Sequence, residues 1–245
     1  MAKALFEINP HLDRAELARR FAAENRLQIE SFLTDETARE VREILASGTE
    51  WGIACQAGTN GKPQSWRGRE LRDPANAAAV RQALQDTDRA AASGDYAFRF
   101  QRYQIVEAVQ EQWEPGGPHE LLLEYLNAPE FLEAMRQITG IPQLARADAH
   151  ASLYGPNNFL GRHIDSHVAE GWRIAYVLNM TIDNWSPDWG GHLVFYDEAG
   201  NIESGYIPRF NTLNLFLVPR AHAVTYVPPF APHGRFAING WLRDR

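Results

Sequence analysis

The runs RIAYVLNMTI (173–182), HLVFY (192–196), TLNLFLV (212–218), HAVTYV (222–227) and RFAINGWL (235–242) follow one another along the last third of the chain. Each is rich in β-branched, aromatic and aliphatic residues, the side chains that suit a pleated and half-buried surface. The segments between them, WSPDWGG (185–191), DEAGN (197–201), IPRFN (207–211) and PPFAPHG (228–234), supply the glycine, proline, asparagine and aspartate that turns require. Short strands in such close succession predict an antiparallel sandwich or barrel rather than a parallel α/β sheet. Working outward, the β-rich character begins near Leu144 with ARADAHASLY (145–154).

Upstream of that point the chain reads as mostly helical. Asp13 can cap a helix whose Ala15, Leu17, Ala18, Phe21 and Ala22 share one face. A short strand is expected at 27–33, LQIESFL, then a helix from Thr34 that Gly48 ends in a left-handed cap. Further helices are expected over 74–91, capped by Asp73, and over 129–139, with Gly140 just past its end. Residues 96–105, YAFRFQRYQI, alternate in part as a strand does. The polar, glycine-containing segment 56–72 around Trp66 is either a disordered surface loop or a mobile lid over a site. The whole is expected to be a single domain, with 1–143 as helical support and lid and 144–245 as a mainly β core carrying the site.

Composition narrows the chemistry. The 245 residues carry 24 Lys and Arg against 31 Asp and Glu, a net charge of −7, which argues against a general nucleic-acid binder. No apolar run reaches the roughly 18–20 residues of a membrane helix. The opening MAKALFEINPHLDR turns polar too early for a signal peptide, so a cytoplasmic location is expected. Cys55 is the sole cysteine, which excludes an intrachain disulfide and any cysteine-rich metal site. A metal would be held by imidazole and carboxylate, drawn from eight histidines.

His163-Ile164-Asp165 offers such a pair. On an extended chain residues i and i+2 face the same way, so an imidazole and a carboxylate converge on one point. A second histidine would complete a facial triad with three open positions, the arrangement suited to Fe(II) and dioxygen. His11-Leu12-Asp13 has the same pattern, but Asp13 is accounted for as a helix cap. His192, His222 and His233 are the candidates for the distal ligand, and His222, opening the strand HAVTYV, is favoured over a histidine in a proline-rich loop. His167 lies near the pair as a bystander. Arg235 alternates with Ala237 and Asn239 on one strand face. It either meets an anionic cosubstrate inside the barrel, in two parallel hydrogen bonds, or sits on the rim paired with an acid.

Taken together, these residues resemble the Fe(II)/2-oxoglutarate-dependent oxygenases of the prolyl-hydroxylase-like branch. The resemblance covers 149–241 and rests on an ordered set: Tyr154-Gly155, His163-x-Asp165, Arg173, Leu178-Asn179, Gly190-Gly191-x-Leu193, Asn214-Leu215-Phe216, His222-x-Val224 and Arg235-x-Ala237-Ile238-x-Gly240-Trp241. His222 follows Asp165 by 57 residues and Arg235 follows His222 by 13, spacings that look like the family's. The resemblance implies a double-stranded β-helix, or jelly roll, supported by the N-terminal helices. It implies His163, Asp165 and His222 as iron ligands and Arg235 holding the far carboxylate of 2-oxoglutarate, with Tyr154 lining the pocket. Tyr176 would give a second cosubstrate contact only if it, and not Val177, faces inward.

The activity so implied is hydroxylation of an unactivated carbon by dioxygen, with 2-oxoglutarate decarboxylated to succinate and CO2 and ascorbate as a stimulant. A prolyl residue of a protein is the leading substrate, and a free amino acid or small metabolite the alternative. Two other classes are a non-catalytic jelly-roll metal sensor and a cupin-type hydrolase or isomerase with another metal. Neither needs an arginine at position 235.

Overall fold

In the computed structural model, residues 6–165, 167–182 and 184–245 are described, so the first five residues, where the reading against a signal peptide begins, lie outside them. The N-terminal part supplies α1 (Arg14–Glu24), β1 (Arg26–Ile29), α2 (Asp35–Ser47), β2 (Gly52–Ala57), β3 (Gln64–Trp66), α3 (Gly68–Leu71), α4 (Ala77–Ala92), β4 (Ala97–Tyr103), α5 (Ile105–Gln110), α6 (Pro118–Leu126) and α7 (Pro129–Thr139). The β-rich part supplies β5 (Arg146–Ala147), β6 (His150–Tyr154), β7 (Phe159–Ile164), β8 (Trp172–Met180), β9 (Leu193–Tyr196), β10 (Ile202–Tyr206), β11 (Phe210–Leu217), β12 (Ala221–Val224) and β13 (Arg235–Arg243).

The strands pair antiparallel in the order β1-β11-β8-β13-β6-β4-β7-β12-β9-β10, with the β2–β3 hairpin joined to β4 and β5 to β13. This path curls into a nearly closed barrel. Ala175 of β8 and Phe216 of β11 meet Leu193 and Phe195 of β9 across its interior. It is the jelly-roll architecture expected, mainly β and flanked by helices.

Period-two alternation sorts each strand between barrel and helices. On β8, Ile174, Tyr176, Leu178 and Met180 join the main core, where Val41, Leu45, Leu126, Phe131 and Met135 of the helices cover the sheet. Ala175 and Val177 face the barrel. Helix α7 presents Phe131, Leu132, Met135 and Ile138, an i, i+1, i+4, i+7 stripe, to that core. Its ends follow the chemistry expected, with Pro129 in the first turn and Gly140 left-handed at φ 70. Asp13 and Asp73 likewise accept from the backbone amides of Glu16 and Ala75 at 3.0 and 2.9 Å.

Several local expectations are corrected. Gly48 closes α2 at φ −97, so no left-handed cap forms there. The helix expected over 74–91 begins as a 3₁₀ turn at Pro74–Asn76 before α4. The strand expected over 27–33 is confined to β1, and Ile105 opens α5 instead of ending a strand. The segment 56–72 is not a structureless loop. It completes a hairpin whose Ile53, Ala54 and Cys55 pair with Trp66, Ser65 and Gln64. Among the described residues, no helix is long and apolar enough to cross a membrane.

Phe131 is 2% exposed and meets Phe6, Phe32 and Tyr176 edge-on, joining the helical layer to β8. Phe131→Ala is expected to destabilise the fold by about 3–5 kcal/mol, read from urea unfolding followed by circular dichroism. A loss under about 1 kcal/mol would mean that the helical layer does not depend on this contact.

Candidate metal centre

Strands β7 and β12 pair so that His222 stands directly opposite His163. Their imidazole centroids are 4.1 Å apart. Asp165, two residues beyond His163, brings Oδ1 to 3.6 Å from His163 Nε2 and Oδ2 to 3.7 Å from His222 Nε2. One donor atom from each of the three lies within 4.8 Å of the others, a spacing one metal ion can span.

Both histidines are oriented by backbone carbonyls. His163 Nδ1 lies 3.0 Å from the Gly161 carbonyl, and His222 Nδ1 2.8 Å from that of Arg220. A carbonyl only accepts, so each Nδ1 carries the proton and each Nε2 turns a lone pair to the common point. Burial, and then the neighbouring His163, pushes the pKa of His222 down to about 4, so its imidazole is neutral at physiological pH.

The carboxylate has its own support. Trp241 Nε1 donates to Asp165 Oδ2 at 3.0 Å, and the indole stacks on Trp172 at 3.8 Å between centroids. Tyr96, whose ring lies 6.3 Å from that of His163, is raised to about 12 by burial and by the charge of Asp165, which keeps its hydroxyl protonated.

The triad opens into a cavity of about 190 Å³ bounded by Phe98, Phe100, Leu193, Phe216 and Val224 on its apolar side. Arg235 also faces this cavity. It is 2% exposed, and among the described residues it has no acidic partner. Its Nε and Nη2 reach Asn179 Oδ1 at 3.4 and 3.3 Å, while Nη1 is buried with no partner. Burial lowers its pKa to about 10, so the guanidinium stays charged. Of the two readings of Arg235, the rim arginine paired with an acid is therefore excluded. Tyr154 is its register partner on β6 and lies under the guanidinium at 5.3 Å, stacked on Phe100 at 4.9 Å.

Other sequence candidates lie elsewhere. His192 is outside the triad, its amide bonded to Thr225 Oγ1. His233 packs on Trp189, His167 bonds Glu170, and Asp13 caps α1. Tyr176 is not brought to Arg235. The β8 register puts Val177 on the barrel side and packs Tyr176 into the helix-covered core; Tyr176 still borders the cavity, but its hydroxyl donates to the Asp148 carbonyl, between β5 and β6, at 2.7 Å.

The sequence reading gave Tyr96, Arg102 and His150 no part in the site and named Asn179, Asn239 and Trp241 without a role for them, although Arg102, His150, Asn239 and Trp241 line the cavity. The alternation Tyr96, Phe98, Phe100, Arg102 carried the signal for the first and fourth.

Residues 149–243 match the model of the 2OG-Fe(II) oxygenase superfamily. None of the curated proteins matches the sequence. Among solved structures, a Pseudomonas putida prolyl-4-hydroxylase is 20% identical, with 95% of this chain and 99% of that one covered and a TM-score of 0.54. A Burkholderia pseudomallei oxidoreductase of the 2OG-Fe(II) oxygenase family is 13% identical over 100% and 97%, with a TM-score of 0.59. A Trichoplax adhaerens prolyl hydroxylase, in complex with a hypoxia inducible factor oxygen degradation domain peptide, is 16% identical over 94% and 89%, at 0.52. The barrel and its candidate triad thus share the jelly-roll architecture of these structures, with a group of residues that could hold a metal. Residues 149–243 are similar to the 2OG-Fe(II) oxygenase model, and the fold built around them is like that of the solved prolyl hydroxylases.

Outer-sphere support tunes a metal site as strongly as the ligands' identity does. Trp241→Phe keeps the stack on Trp172 and removes the donor to Asp165. Its affinity for Mn(II), measured by calorimetry, is expected to fall roughly 10- to 100-fold. An unchanged affinity would show that the indole N–H does not orient the carboxylate.

Proposed function

We propose that His163, Asp165 and His222 hold Fe(II), that Arg235 holds the distal carboxylate of 2-oxoglutarate, and that the chain hydroxylates an unactivated carbon. The donor set fits the metal: two imidazoles and one carboxylate leave three positions open. The cosubstrate fits the cavity, because the partnerless Nη1 of a buried Arg235 is the complement of a carboxylate oxygen. That orphaned, charged nitrogen in the same cavity as the triad is the observation that carries the reading.

Bound iron and 2-oxoglutarate would supply dioxygen activation, with cosubstrate decarboxylation to succinate and CO2 and transfer of one oxygen atom to a C–H bond. The chain's own part is positioning. Asn179 fixes the fork of Arg235, and Tyr154 supports it from below. Trp241 fixes Asp165, and the phenylalanine walls keep water from the reacting atoms. A sensor without turnover would have no use for an open cavity with a free cationic anchor, which favours the catalytic reading.

A prolyl residue of a protein is the leading substrate, supported by the likeness to prolyl hydroxylases, one of them in complex with a peptide. A free amino acid or small metabolite is the second reading, favoured by Arg102 on the cavity wall. The cytoplasm, where the lone buried thiol of Cys55 stays reduced, is the proposed compartment.

Purified protein given Fe(II), ascorbate and oxygen is expected to form succinate from 2-oxoglutarate, and to bind 2-oxoglutarate by calorimetry when loaded with Mn(II). Absence of both would overturn the reading. Arg235→Met is expected to weaken 2-oxoglutarate binding by about 2–4 kcal/mol, since it leaves a carboxylate without its buried partner.

A further inference from the structure

A second arginine reaches the same cavity. On β4 the alternation that turns Phe98 and Phe100 into the barrel also turns Arg102 inward, and Arg102 pairs in register with Ser152 of β6. Two residues along β6 from Ser152, on the same face, His150 pairs with Asn239 of β13. Arg102, His150 and Asn239 therefore meet on one wall, and all three line the cavity that holds the triad. His150 lies against Trp241, ring to ring at 6.2 Å, and Trp241 holds Asp165. This wall is thus one side chain removed from the candidate metal ligands.

Arg102 has no counter-ion here. Among the described residues it makes no side-chain hydrogen bond or ion pair, and its Nε is buried without a partner. The acid whose charge it feels most, Glu107, is bonded to Arg67 at 2.6 Å and also accepts from Gln104. A part-buried guanidinium with nothing to neutralise it is costly unless an anion arrives.

The neighbours leave His150 as a donor, held in place by Asn239. Asn239 Nδ2 bonds Ser152 Oγ at 2.7 Å and lies 3.3 Å from His150 Nε2. Burial, then the charge of Arg102, keeps His150 neutral, so with Nε2 accepting from Asn239 its Nδ1–H is available. The wall is also distinct from the Arg235 anchor. Asn239 lies four residues along β13 from Arg235, about 13 Å at the usual strand rise. Arg102, His150 and Trp241 also border a separate groove lined by Glu107, Gln110 and Asp148.

We propose that Arg102 and His150, the latter positioned by Asn239, form the subsite for the carboxylate of the substrate, and that the substrate is a small molecule with a free carboxylate, an amino acid foremost. This rests on the cavity being a 2-oxoglutarate-dependent active site, and it selects the smaller of the two substrate classes. The small cavity agrees, since pockets for drug-sized ligands run to roughly 300–1,000 Å³.

The test is calorimetry on wild-type, R102M, R102K and R235M protein loaded with Mn(II) and N-oxalylglycine, a non-reacting mimic of the cosubstrate. The probes are the proteinogenic amino acids, their primary amides, and proline-containing peptides with free or amidated C-termini. At least one free acid is expected to bind wild type and to lose roughly ten- to a hundredfold in affinity as the amide and in R102M. R102K, which keeps the charge without the fork, is expected to fall between. With 2-oxoglutarate titrated separately into protein loaded with Mn(II) alone, R102M should weaken the acid more than 2-oxoglutarate, and R235M the reverse. A free peptide C-terminus binding better than any amino acid would keep the subsite but overturn the small-molecule assignment, naming the peptide as the source of the carboxylate. The proposal is overturned if no probe acid binds, if amides bind as well as acids, or if folded R102M and R102K bind like wild type. It is also overturned if R102M mainly loses 2-oxoglutarate, which would make Arg102 part of the cosubstrate anchor. Failure of wild type to bind 2-oxoglutarate at all would instead sink the underlying function.

Discussion

The pairing of β12 against β7 is the constraint on which the centre depends, because it alone puts His222 opposite His163. Side chains alternate along both strands, so a slip of one residue would turn either imidazole out of the barrel. Ile164, between His163 and Asp165, shows the outward choice: it is 53% exposed. The register is held by what surrounds it. On its other edge β12 pairs with β9, where His222 faces Phe195, and the His222 ring meets Phe216 edge-on at 4.7 Å. Apolar packing inside the barrel thus enforces the alignment that gathers the three candidate ligands at its mouth. A short strand of four residues can then hold a candidate ligand precisely.

Charge is distributed around the barrel with the same economy. Arg173 pairs with Asp244 at 2.5 Å, Arg220 with Glu203 at 2.7 Å, Arg99 with Asp88 at 2.8 Å and Arg243 with Asp148 at 3.1 Å. The arginines that face the cavity, Arg235 and Arg102, lack such partners among the described residues. An acidic chain has carboxylates to spare, so their absence at these two positions is a feature of the site rather than of composition. The cavity therefore presents positive charge in a setting where water screens it little, and anions gain most from meeting it there.

How much of this was legible in the sequence depended on whether a signal was local. His163-x-Asp165, the strand opening at His222 and the alternation around Arg235 are short-range patterns, and the structure gathers all four residues in one cavity. Caps at Asp13, Asp73 and Gly140 were readable for the same reason. The choice between Tyr176 and Val177 was not, because it turns on which face of β8 the helices cover, and that is decided by packing against Phe131. The N–H of Trp241 on Asp165 spans 76 residues, and no local pattern announces it. The hairpin at 56–72 was obscured by its composition: its outer strand, Gln64–Trp66, is largely exposed and earns its order from pairing with Gly52–Ala57.

That hairpin also bears on the cavity. Arg67, at its end, reaches across to Glu107 at 2.6 Å and Glu111 at 2.7 Å, with its guanidinium over the Trp113 ring at 3.9 Å. The contact ties the N-terminal hairpin to α5, the short helix that follows β4. It also occupies Glu107, the carboxylate best placed to neutralise Arg102. An acid so held cannot swing to Arg102 without giving up Arg67. Packing in the N-terminal half thus decides which arginine is satisfied internally and which is left facing the cavity. The helical and hairpin elements are in this respect part of the site's electrostatics, and not only a support for the barrel.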